Sequence, residues 1–443
     1  MIHRQISLTP LDSWFFRDGR NHEELGGLEI NSLPLPSQRT LYGALRAKLW
    51  DAVPEELRSG SLFDPTEAFN QQVLIGPATL RFTDTGPLYW PCPIDLIQFK
   101  TTKSKYVYSF AKWYQEKKQL NKRLQKKLKL QAEQAYLTTI SDLGPVPFLH
   151  AKPNDDSDKR CAHQGQMLKS ITLSKEWFTS DARGLKPDNF ESLAMFIERE
   201  LRLGIELKNR VAADGQLYVT QHIRYNEIGN KQQGRKQLKL VLIISFAEKA
   251  VCEAFEKSVS QQPVIRLGAD GRGAYVDTSE VNNDLWPSLP DPAVSSEPSR
   301  AKGKGKNSKN NTNSSQQLMV TLLSPGTWQC DAGYGFLPGT ESNIGGGVWQ
   351  GSCSVRMDNH LEEKTSLDFT LLSALVDKPF YEGGWDMSGK GKPRATRMFY
   401  PAGSCFLIEA NPESWSTLQG GFIGDLNHMG YGKIAIKPFK QGQ

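Results

Sequence analysis

The residues best placed to do chemistry are arginines set beside glycines. In "LDSWFFRDGR" (11–20) three aromatics run into a turn holding Arg17, Asp18 and Arg20. Two arginines on a turn can grip a phosphate, Asp18 can move a proton, or the charges can pair along the edge of the turn. In "LPLPSQRTLYGALRAKL" (33–49) Pro34 and Pro36 force an extended approach, and Ser37 is placed to cap a helix running to about Trp50. At 100° per residue, Arg39, Gly43 and Arg46 share one face, opposite a stripe of Leu41, Leu45 and Leu49. Glycine is a poor helix former, and between two arginines it lets a phosphate backbone come close. The amides at the N-terminus of the helix add positive potential near Ser37. The alternative for this face is two solvated arginines.

Three more stretches repeat the pairing of glycine with cations. "GDLNHMGYGKIAIKP" (424–438) sets Gly430, Gly432 and Lys433 just before a β-run, where glycine permits close backbone approach or marks a bulge. "RLGADGRGAYV" (266–276) places Arg266 and Arg272 around a Gly-rich turn, and its last five residues partly echo the RNA-reading strand of RRM domains. "SGKGKPRATR" (388–397) is an acid-free loop with Lys390, Lys392, Arg394 and Arg397.

Catalytic constellations are harder to find. There is no P-loop, H-E-x-x-H or G-x-S-x-G pattern. His22 and His428 could serve as acid or base in RNA cleavage, although a packed or solvated histidine explains each as well. The six cysteines are scattered without a C-x-x-C pair, which argues against a disulfide framework. Cys161, His163 and His150 lack a fourth local ligand for zinc, so no metal or cofactor is expected.

These residues need a scaffold, and 443 of them exceed one ordinary core. A net charge of +6 suits a polyanionic partner without requiring one. No apolar stretch is long enough to span a bilayer, and the first residues read as a strand (2–9) rather than a signal peptide. A soluble cytosolic chain is expected.

Residues 291–317 are basic and nearly devoid of apolar side chains, as in a flexible linker. Before the linker the coarse order is βαββαβ, the ferredoxin-like plan. It consists of the first strand, the Ser37 helix, a hairpin of "QLYVTQHIRY" (216–225) with "QLKLVLIISF" (237–246), a helix at 248–259 and a strand at 263–278. After the linker the order recurs, with a strand at 316–324, a helix at 366–377, a hairpin over 394–410 turning at Pro401-Ala402-Gly403, a helix near 412–418 and a strand at 431–438. The expected fold class is therefore α+β, with two tandem ferredoxin-like (RRM-like) domains over 1–283 and 318–443 and a linker over 284–317.

Residues 61–190 do not fit this plan and read as a helical insertion in the first domain. Within it, 103–129 carries ten Lys or Arg against Glu116, with Phe110, Trp113, Leu120, Leu124 and Leu128 near one helical stripe. Its basic face either meets a partner or is simply solvated.

Taken together, "PLDSWFFRDGR", "LPLPSQRTLYGALRAKL", "GIELKNRVAADGQLYVTQHIRY", "RLGADGRGAYV", "KPRATRMFYPAGS" and the terminal "GYGKIAI" resemble the RAMP proteins of CRISPR systems. They are most similar to the third-subunit family of the type III-B (Cmr) effector complex. The resemblance implies a non-catalytic subunit that holds the 5′ repeat-derived tag of the crRNA. It also implies partners: a large polymerase-like subunit, a backbone RAMP subunit and, indirectly, target RNA. In that family the segment at 204–225 forms a projecting hairpin that meets RNA or a neighbouring subunit, so Lys208, Arg210 and Arg224 would carry charge on it. Arg17 and Arg20 would face the same RNA as Arg39 and Arg46. One of Trp14, Phe15 and Phe16 would be core or would stack on a base. Two rivals remain. One is a crRNA-processing endoribonuclease of the same superfamily using His22 and His428. The other is a protein-only scaffold with basic surfaces.

Overall fold

The computed structural model describes residues 1–17, 29–55, 58, 72–82, 86–94, 96–100, 105–109, 159–161, 166–169, 190–208, 211–228, 236–269, 271–281, 316–328, 349–356, 364–376, 379–386, 391–411, 418 and 420–438. It is a sheet-rich α+β fold with few helices.

The first half begins with β1 (Ile2–Pro10) and helix α1 (Gln38–Ala52). The long strands β2 (Ile197–Lys208) and β3 (Val211–Tyr225) follow, then β4 (Lys239–Phe246), α2 (Lys249–Gln261), β5 (Val264–Arg266) and β6 (Gly273–Glu280). β1 lies antiparallel between β4 and β6, with Ile6 opposite Leu242 on one side and Thr278 on the other. On its far side β4 pairs with two short strands, Val73–Ile75 and Thr79–Arg81. Counting those two as the second strand, the spatial order is second, third, first, fourth.

Both helices pack on one face. α1 buries Leu41, Leu45 and Leu49, and α2 buries Val251, Phe255 and Val259. Each such side chain contributes roughly 1.5–3 kcal/mol, so the apolar stripe holds α1 on the sheet. Ser37 caps α1 as expected, its Oγ accepting from the Thr40 amide at 3.2 Å. Lys48 donates its ammonium to the Gln262 carbonyl at 2.6 Å, satisfying an acceptor at the end of α2. Arg4 meets Glu256 at 2.6 Å and ties β1 to α2.

In the second half β7 (Gln316–Leu322), β8 (Trp349–Arg356), β9 (Lys364–Leu375), β10 (Cys405–Ala410) and β11 (Ile434–Pro438) share one sheet. β7 lies antiparallel between β10 and β11, with Val320 opposite Phe406 and Ile436. β9 pairs with β10, and β8 extends the sheet beyond β9. Strands β7, β9, β10 and β11 thus repeat the order second, third, first, fourth around their own core of Val320, Trp328, Phe369, Phe406 and Ile436.

Several expectations need correction. Residues 216–225 and 237–246 do not form one hairpin. β3 pairs with β2 over most of its length, and only Glu227–Ile228 and Lys236–Gln237 pair between the two segments. The reason is burial, since β4 is covered on both faces and must be a central strand. The expected strand at 263–278 is the β5–β6 pair. The expected helix at 366–377 is β9, in which Leu367, Phe369 and Leu371 face the core and Asp368 faces out. The expected hairpin at 394–410 is split, because Arg397–Phe399 pairs with Phe380–Glu382 and β10 pairs elsewhere. Residues 73–91, assigned by sequence to an insertion, supply strands of the first sheet. Lys105–Ser109 is a strand rather than the start of a helix. The rest of the basic stretch at 103–129, the linker to residue 315, and 412–417 lie outside the described residues. No described helix is long and apolar enough to cross a membrane.

Candidate nucleic-acid interface

The opening aromatics belong to the core. Trp14 is fully buried, donates its indole N–H to the Gly273 carbonyl at 3.0 Å and exchanges backbone hydrogen bonds with Ile223 of β3. Phe15 stacks on His222 with centroids 5.2 Å apart, and Phe16 is buried near Trp14. This segment fixes β1, β3 and the β5–β6 turn to one another, which leaves no aromatic there to stack on a base. Arg17 follows directly, exposed and bridged to Ser32 on the path into α1. Arg20, Arg210 and His22 lie outside the described residues, and Lys208 is placed only by its pairing with Val211.

On α1, Arg39 and Arg46 are half-buried, and space around Gly43 is open: an added Cβ would have no neighbour within 4 Å. The Arg46 guanidinium lies over the Tyr42 ring at 5.8 Å from its centroid. Burial and the nearby charge of Arg394 lower its pKa. Arg394 comes from the second half of the chain, so the two halves bring Arg46 and Arg394 together at their seam.

The seam itself is built around Tyr431. Its hydroxyl accepts the Arg39 amide at 3.1 Å and donates to the Glu382 carboxylate. The first-turn amide of α1, which has no partner within the helix, is thereby satisfied from the other half. Phe399 stacks on Tyr431 at 4.6 Å and aims it. Burial raises the pKa of Glu382, partly offset by Tyr431 and Arg39. Burial, with Glu382 close by, also holds the Tyr431 hydroxyl protonated.

A raised carboxyl pKa means that the folded chain holds the Glu382 proton more tightly than the unfolded chain. The resulting stability is full below the ordinary value of 4.5 and is lost as pH rises through the folded value. Glu382→Gln should therefore raise stability at neutral pH and flatten its fall above pH 4.5, as read by unfolding at several pH values.

The terminal glycines do permit close approach, but to protein. At φ +86°, a Cβ on Gly430 would lie 2.8 Å from the Gly76 carbonyl and 2.8 Å from Gln38 Oε1. A Cβ on Gly432, at φ +73°, would overlap the Ile423 carbonyl. Lys433 is 2% exposed, donating to the Gly420 carbonyl beneath the Phe422 ring. These three hold the second half together and dock it on α1. His428, half-buried, meets Tyr42 edge-on at 5.3 Å.

The remaining arginines divide by partner. Arg397 pairs with Asp425. Arg272 pairs with Asp12, which also takes Arg202 at 3.2 Å, and Arg202 in turn meets Glu200 at 3.0 Å. The Ser13 amide and then these arginines hold the Asp12 carboxyl below its ordinary range. Arg224 and Arg266 are exposed. Tyr275, from the RRM-like echo, is exposed, but its neighbours on the helix-free face, Gln5, Ser7 and Ile243, are buried. That sheet face is covered at β1 and β4, while its β6 edge, with Tyr275, Asp277 and Ser279, is exposed. Sequence reasoning missed Asp12, Arg202, Glu382 and Tyr431. Of these, only Tyr431 carried a local signal, its place between two glycines.

Among solved structures, the chain is similar to a chain of the type III-B Cmr-beta complex bound to cognate target RNA and AMPPnP. The identity is 14%, with 91% of this chain and 86% of that chain covered and a TM-score of 0.38. The same complex bound to cognate target RNA matches at 14% identity and the same coverage, with a TM-score of 0.39. An RAMP protein binding different RNA substrates matches at 11% identity over 48% of this chain and 75% of its own, with a TM-score of 0.20. No curated protein matches the sequence. A family model described as CRISPR-associated protein (Cas_Cmr3) matches residues 6–438. The chain therefore belongs to the Cas_Cmr3 family of CRISPR-associated proteins, the RAMP-type Cmr subunit that its motifs resemble.

Proposed function

We propose that the chain is a non-catalytic RNA-binding subunit of a type III-B CRISPR ribonucleoprotein. It holds the 5′ repeat-derived tag of the crRNA and joins the large polymerase-like subunit to the backbone. Two ferredoxin-like domains, over 1–283 and 318–443, carry this role, and the repeated strand order in the two halves supports that division. The observation that carries the reading is the α1 face at the seam, where half-buried Arg39 and Arg46 flank the open space at Gly43 and Arg394 comes close to Arg46. Arg17, Arg224 and Arg266, all exposed, are further cations that this reading assigns to RNA. Gly430, Gly432, Lys433 and Arg397 support that surface through protein contacts.

Each phosphate neutralised on single-stranded RNA contributes about 0.7 to the slope of log K against log salt. Arg39→Gln and Arg46→Gln should each lower the measured slope by about that amount. Gly43→Ala should stabilise α1 by roughly 0.5–1 kcal/mol, since glycine is the poorer residue in a helix interior, yet weaken RNA binding by crowding the face. If RNA affinity and salt slope are unchanged in all three variants, the α1 face does not carry RNA.

A further inference from the structure

The helix-free face of the first sheet is open at its β5–β6 edge. There the register sets Tyr275 of β6 between Thr9 of β1 and Val264 of β5. Tyr275 is 46% exposed and Val264 39%. One row along, Gly273 has no side chain and Leu11 lies in its place, since a Cβ on Gly273 would meet the Leu11 side chain at 2.9 Å. Leu11 is itself 58% exposed. Arg266 of β5 stands opposite Gly273 and is exposed. Residues opposite one another across antiparallel strands share a face, as do residues two apart along a strand. Leu11, Tyr275, Val264 and Arg266 therefore form one small patch, an apolar shelf with a cation at its side. Among the described residues, neither Tyr275 nor Arg266 has a side-chain hydrogen bond, ion pair or ring contact.

Three features choose the occupant. A shelf of three side chains falls far short of the roughly 800 Å² per partner of a stable protein interface, yet it suits one planar ring. Ala274-Tyr275-Val276 sets Tyr275 where the RNA-reading strand of RRM domains carries an aromatic, and such aromatics stack on unpaired bases. Charge gives the direction of the strand. Asp277, exposed two residues further along the same face, repels a phosphate, and Arg266 on the other side attracts one.

We propose that Tyr275 stacks on one unpaired base of single-stranded RNA, edged by Leu11 and Val264, with the adjoining phosphate at Arg266. The α1 helix packs on the opposite face of this sheet, against Ile6, Leu8 and Val276, so the patch is a second contact, reached by a strand that passes round the β5 edge. The proposal rests on the RNA-binding reading and adds a stacking site to it. Every base has a π-face, so the site selects single strand over duplex rather than one sequence.

The test uses the full chain and a long, unstructured, labelled single-stranded RNA, with anisotropy read at several salt concentrations. Tyr275→Ala should weaken binding about tenfold, and Tyr275→Phe should bind as the unaltered chain does, because the ring alone stacks. Arg266→Gln should lower the salt slope by about 0.7. Binding of the same sequence as a duplex should not respond to Tyr275→Ala. Iodouracil placed in the single strand should crosslink to Tyr275 on irradiation. Equal single-strand affinity in Tyr275→Ala and the unaltered chain would overturn the stacking proposal alone, as would a loss in Tyr275→Phe as large as in Tyr275→Ala. Failure of the unaltered chain to bind any RNA would overturn the RNA reading as well. Unchanged RNA affinity in Tyr275→Ala, with loss of protein partners from the isolated complex, would assign the patch to a protein instead.

Discussion

Gly432→Ala is expected, with its peer Gly424→Ala, to be among the most damaging single substitutions in the second half of the chain. At φ +73° an alanine is strained, and its methyl would overlap the Ile423 carbonyl, which is backbone and cannot swing aside. The two neighbours are further locked by paired hydrogen bonds, Ile423 N–H to the Gly432 carbonyl at 2.8 Å and Gly432 N–H to the Pro325 carbonyl at 2.8 Å. Backbone strain of about 1–3 kcal/mol adds to an overpacking cost of similar size. The combined loss, roughly 2–6 kcal/mol, approaches the whole stability of many domains. Urea unfolding should show the transition of the second half moved to much lower denaturant. A midpoint within experimental scatter of the unaltered protein would mean that the 421–434 turn is not packed as described.

Tyr431→Phe is the second large effect, and it separates the seam from the core. The ring and its stacking on Phe399 are kept, and only the hydroxyl is lost. That loss strips the Arg39 amide of its acceptor and the Glu382 carboxylate of a donor. Each unsatisfied buried group costs about 1–3 kcal/mol, so a destabilisation of roughly 2–6 kcal/mol is expected. Combining it with Glu382→Gln should recover part of the loss, because the buried charge is then gone. RNA affinity should fall with Tyr431→Phe even at temperatures where the chain stays folded, because Arg39 is no longer held at the seam. Unchanged stability would mean that the Tyr431 hydroxyl does not bridge the halves.

Local features were legible in the sequence, and long-range pairing was not. The Ser37 cap, the Leu41-Leu45-Leu49 stripe and α2 follow from spacing within one or two turns, and the structure keeps them. Strand partners depend on what covers each face. The unbroken run of Lys239–Phe246 signalled a strand buried on both sides, which a peripheral hairpin arm cannot be. In β9 the alternation of Leu367, Asp368, Phe369, Thr370 and Leu371 was visible, and a reading by helical period passed over it. The glycines at 430 and 432 correctly signalled close approach, but spacing alone does not say whether the approaching backbone is RNA or protein. Asp12 and Arg202 are 190 positions apart, and no local pattern joins them.

The most direct test of the central claim is to isolate the tagged chain from cells that carry its CRISPR locus and to sequence the RNA and proteins that come with it. An RNA-binding Cmr subunit should bring short RNAs sharing one repeat-derived 5′ end, together with a large polymerase-like protein. Arg39→Gln and Arg46→Gln should lose those RNAs as salt is raised, before the unaltered chain does. Recovery of the protein partners with no RNA, or of RNA without a common 5′ end, would contradict the account.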